Sequence, residues 1–142
     1  MNAKGEIEAN FDALDELFRA VLKSISNKQI QLAIWTLESF DLGSLDARII
    51  GAASPFASSS SKLAGDGLLI SLQPNQVDEL IEVFCDRLTY EILHLEIEVE
   101  GDVQFAVYDH FCYILFGDQI SLALLEEIKS RGVICSYEVY SS

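Results

Sequence analysis

The chain is predicted to fold as an α+β domain. Three observations predict it: apolar residues recur at helical spacing in some segments, they alternate with acids in others, and short two-sided apolar runs stand between turn residues. At 142 residues it has the length of one domain, read as 1–142, and can bury a sizeable core.

The first element reads as a helix over about residues 6–24. Ile7, Phe11, Leu14, Phe18, Val21 and Ile25 form one seam, with Glu8, Asp12, Asp15, Arg19 and Lys23 off it. Acids early and bases late suit the helix dipole. A second helix is expected from Ser26, where Ser26 and Gln29 fit a capping box and Ile30, Ala33, Ile34 and Leu37 make a stripe ended by Gly43. A strand over residues 31–38 is the other reading of that run. Residues 1–42 therefore form a helical N-terminal part. Residues 51–67, rich in Ser, Ala and Gly, read as a flexible loop.

Residues 68–142 carry the sheet. Residues 68–72 read as a buried strand, and Pro74 opens a helix running to about Leu93. Leu95-Glu96-Ile97-Glu98-Val99-Glu100 alternates strictly and reads as a half-exposed strand, followed by a Gly101-Asp102 turn. Residues 103–108 and 111–116 are two more strands, 118–131 a helix, and 133–140 a last strand. The order β-α-β-β-β-α-β suggests a ferredoxin-like variant with a single antiparallel or mixed sheet, helices on one face, and the N-terminal helical pair laid beside it.

Charge carries the functional reading. The chain has 23 acids against nine Lys and Arg, a formal charge of −14. Direct nucleic-acid binding is disfavoured, because phosphate affinity needs cationic side chains. Residues 77–142 hold 14 acids and three bases. Asp78, Glu79, Glu82 and Asp86 lie along the predicted central helix, and Glu96, Glu98 and Glu100 line one face of the next strand. These seven carboxylates are the expected contact for a basic protein partner, with Tyr90 and Tyr108 among the candidate aromatic anchors. A non-catalytic, immunity- or antitoxin-like inhibitor is the function this implies. The alternatives are an assembly subunit, such as a homodimer joined through the seam of the first helix, and a small enzyme or ligand-binding domain with residues 51–67 as a lid.

No catalytic residue, metal site or cofactor is expected. Walker, EF-hand, H-E-x-x-H and paired C-x-x-C spacings are all missing. His110 and Cys112 share a strand face, but their apolar neighbours favour an inert thiol. Cys85, Cys112 and Cys135 are odd in number and widely spaced, which suits free thiols in a reducing compartment. With no signal-like start and no membrane-length apolar run, the expected location is cytoplasmic.

Overall fold

The computed structural model describes residues 1–56 and 65–141. The Ser58–Ser61 run and Lys62 lie outside the described residues. Among the described residues one antiparallel sheet of eight strands dominates, with four helices. The strands are β1 (Gly5–Ala9), β2 (Ile30–Thr36), β3 (Ala47–Ile50), β4 (Gly67–Leu72), β5 (Ile92–Val99), β6 (Asp102–Tyr108), β7 (Tyr113–Phe116) and β8 (Ile134–Val139). The helices are α1 (Leu14–Ile25), α2 (Val77–Phe84), α3 (Leu88–Glu91) and α4 (Leu122–Ser130).

Across the sheet the order is β3-β4-β2-β5-β6-β7-β1-β8. From β4 onward the elements run β-α-α-β-β-β-α-β, the single long helix expected after β4 being divided into α2 and α3. The N-terminal part does not form a helical pair. It supplies two strands, and each fills a gap. β4 and β5 are both antiparallel to β2, so the β4-α2-α3-β5 crossover joins parallel strands that flank β2. β7 and β8 flank β1 in the same way, joined through α4.

Local reasons for the two corrections are visible. Gly5-Glu6-Ile7-Glu8-Ala9 alternates with period two and buries every second residue, so strand pairing takes it. Asn10 then ends the strand and accepts a hydrogen bond from the Asp12 N–H, starting a short 3-10 turn ahead of α1. Residues 30–36 are buried on both faces, as a central strand requires, and Ser26 closes α1 where a new helix start was expected.

Side chains divide between two cores. Leu14, Leu17, Phe18, Val21, Leu22 and Ile25 of α1 pack with Leu80, Ile81 and Phe84 of α2, Leu125 and Ile128 of α4, and one face of the sheet. The α1 seam is thus enclosed in the core. The opposite sheet face carries a smaller cluster of Ala33, Trp35, Phe56, Leu69, Val103 and Ala106. Residues 51–56 lie over this cluster: Phe56 is buried in it, and the Trp35 Nε1–H donates to the Gly51 carbonyl at 3.2 Å.

No helix among the described residues is long and apolar enough to cross a membrane.

Candidate partner-binding surface

The seven expected carboxylates do not share one surface. Leu95, Ile97 and Val99 face the helical core, so strand alternation turns Glu96 and Glu98 to the opposite side of the sheet from α2. Glu96 is 0% exposed. Its carboxylate accepts hydrogen bonds from the Ser54 hydroxyl at 2.6 Å and the Tyr108 hydroxyl at 2.7 Å. It joins the 51–56 segment to the sheet and is not open to a partner. Glu98 accepts the Gly101 N–H and closes the β5–β6 turn. Glu100, at φ +53°, pairs with Lys28 at 2.7 Å. On α2, Asp78 meets Lys23 at 3.3 Å, Glu79 accepts from the Ser44 hydroxyl, and Glu82 is exposed.

Asp86 leads to a different constellation. The predicted long helix breaks after Phe84: Cys85 is extended at ψ 132°, and Asp86 takes the left-handed φ of +63°. Asp15 of α1 stabilises the break by accepting the Asp86 N–H at 3.0 Å. The chain restarts as α3, which carries Tyr90. That ring is 79% exposed. Beside it lies a cavity of about 360 Å³ lined by Phe11, Asp12, Asp15, Glu16, Asp86 and Tyr90 among others. On its other side a cavity of about 170 Å³ is lined by Leu37, Glu38, Tyr90 and Glu91. Phe11 is 50% and Leu37 61% exposed. Phe11, Tyr90 and Leu37 thus line the two cavities together with six carboxylates, and neither lining includes a Lys or Arg. Arg87 lies next in sequence and is paired with one of the six, Glu91. Its guanidinium covers the Phe40 ring at 3.5 Å, bonds the Asp41 carbonyl at 2.8 Å and pairs with Glu91 at 3.1 Å.

Tyr90, a candidate anchor by residue type, is exposed. Phe11 was misplaced, because the helical seam assigned it to the core. With β1 ending at Ala9, it opens a new turn at the surface instead.

The three thiols are free, and all are exposed despite their apolar neighbours in sequence. The ligand atoms of Asp15, Cys85 and Asp86 lie within 4.8 Å of one another. The negative charge of Asp15, followed by burial and Asp86, pushes the Cys85 thiol above its ordinary value, which keeps it protonated and a poor nucleophile. His110 and Cys112 lie in the β6–β7 turn and not on a strand face, and no hydrogen bond among the described residues joins them.

His94 sits where β5 meets the β6–β7 turn. Asp109, His110 and Phe111 of that turn all have left-handed φ, and the Asp109 N–H donates to His94 Nδ1 at 3.1 Å. Burial pushes the imidazole below its ordinary value, outweighing Asp109, which acts to raise it. The unfolded chain therefore takes up a proton at higher pH than the folded one. This contribution to stability is complete above the unfolded value of about 6.5 and fades as pH falls below it. Urea midpoints of wild type and His94→Gln, compared on either side of that pH, should show a shallower acid-side loss in the variant. Parallel losses would remove His94 as a cause.

No protein-family model, no curated protein and no solved structure matches the chain.

Proposed function

We propose that this is a non-catalytic acidic binding protein that engages a basic protein partner through the Tyr90 surface and neutralises it, as an immunity or antitoxin protein does. One observation carries the reading: an exposed Tyr90, flanked by Phe11 and Leu37, sits among six carboxylates with no cation in either adjoining cavity. Aromatic anchors supply contact area at low entropic cost, and surrounding carboxylates steer and select a cationic partner. Carboxylates set against a basic nucleic-acid-binding surface occupy the place of phosphates. The three free thiols suit a reducing compartment such as the cytoplasm.

The test is affinity capture from native lysate at low salt, followed by a dissociation constant for the purified captured protein. Tyr90→Ala should weaken binding at least about 30-fold, the factor that a hot-spot loss of 2 kcal/mol implies. The pair Asp12→Lys and Glu16→Lys should slow association and flatten its salt dependence. Asp102→Lys with Asp118→Lys, the same charge change away from the Tyr90 surface, should change the constant much less. Equal losses in both charge variants, with Tyr90→Ala neutral, would reject this surface and leave only net charge as the attraction.

A further inference from the structure

We infer that the β8 edge of the sheet is a second docking site, where an extended segment with Lys or Arg at every second residue adds as a ninth strand. This inference is independent of the Tyr90 surface.

β8 is the last strand in the sheet order, so among the described residues one of its sides has no neighbouring strand. The Tyr140 N–H donates to the Lys4 carbonyl at 2.9 Å, which turns that residue toward β1. By antiparallel alternation Glu138 and Ser136 also face β1, leaving the N–H and C=O groups of Tyr137 and Val139 on the free side. β3, the opposite edge, has only four residues.

Charge specifies the occupant. Glu6 and Glu138 are direct cross-strand partners, and Glu8 follows on the same face opposite Ser136. Like charges placed opposite each other destabilise a sheet unless a cation lies between them. These three exposed glutamates line a groove of about 540 Å³ with Tyr113, which is 65% exposed. The groove lining includes no Lys or Arg, and none of the ion pairs among the described residues involves these glutamates. An added strand projects alternate residues onto this face, so cations at period two would reach the glutamates while its main chain pairs with Tyr137 and Val139. A second copy of this chain is a poor occupant. It would bring its own Glu138 and a charge of −14 to the same edge.

The probe is a synthetic peptide of about nine residues alternating lysine and valine, long enough to span a typical strand. Its control replaces every valine by proline, which keeps the charge and forbids a ladder. At low salt the lysine–valine peptide should bind at least about tenfold tighter than the control. It should slow hydrogen exchange at the Tyr137 and Val139 amides. Glu6→Gln with Glu138→Gln should weaken it by a similar factor, and Tyr90→Ala should leave it unchanged. Equal binding of both peptides, no binding of either, or protection at β3 in place of β8 would overturn the inference. So would a dimer of the free protein in which these amides are already protected, because a second copy would then be the occupant.

Discussion

Glu96→Lys is expected to cost about 3–5 kcal/mol of folding stability, the penalty for leaving a buried charge without its partner. The position has no exposed surface, and the Ser54 and Tyr108 hydroxyls donate to its carboxylate. An ammonium there would face two hydroxyls placed for an acceptor. It would also loosen the 51–56 segment, whose Ser54 is held through this bond. Glu96→Gln keeps an acceptor and should lose less, about 1–3 kcal/mol. Glu98→Lys and Glu100→Lys, at more open positions, should stay within about 1 kcal/mol of wild type. Urea titration of the four variants separates these cases. A Glu96→Lys midpoint equal to that of Glu100→Lys would show that the carboxylate is not the fastening described here. Reversing Glu96, Glu98 and Glu100 together would therefore damage the fold and could not report on binding alone.

Phe84→Ala should lose about 3–5 kcal/mol, the range for truncating a large buried aromatic. Phe84 stacks on Phe18 of α1 with centroids 5.2 Å apart and planes at 4°, and meets Phe40 edge-on at 5.2 Å. Truncation removes the link between α1, α2 and the loop before β3. Arg87, which covers Phe40 and bonds Asp41, loses its support in turn. Hydrogen exchange in residues 38–45 should rise along with the fall in the urea midpoint. Phe84→Leu, closer in volume, should recover a large part of the loss. A Phe84→Ala midpoint within about 1 kcal/mol of wild type would mean the site collapses around the cavity, contrary to the rigid stacking seen.

The C-terminal elements were legible because each is specified by its own short-range pattern. The β5 alternation and the Pro74 start both act within a few residues. Glu96 was not legible, since alternation reveals which residues share a face and not whether that face is wet. The N-terminal strands were hidden for a related reason. Ile7 fits a helical seam and a strand alternation equally well, and its assignment depends on Ile114 and Tyr137, more than a hundred residues away. The seven carboxylates do not share one surface because Glu96 and Glu98 of β5 face the side of the sheet opposite α2, a difference that adjacency in sequence does not reveal. The Tyr90 surface draws on α1, the segment after β2 and α3, and no local window contains all three.

The insertion of β1 between β7 and β8 has a consequence for how the chain reaches this state. During synthesis β1 emerges first among the strands, while both of its neighbours are among the last. The Tyr140–Glu6 hydrogen bond closes a separation of 134 residues. Such long-range closure carries a large entropic cost before any contact repays it, and chains dominated by it fold on a timescale of about milliseconds to seconds. Until β7 and β8 are made, the nascent chain carries an alternating strand with both edges unpaired and an amphipathic α1 without its core. Glu6 and Glu8 place like charges along that segment, so two nascent copies would repel where they would otherwise pair.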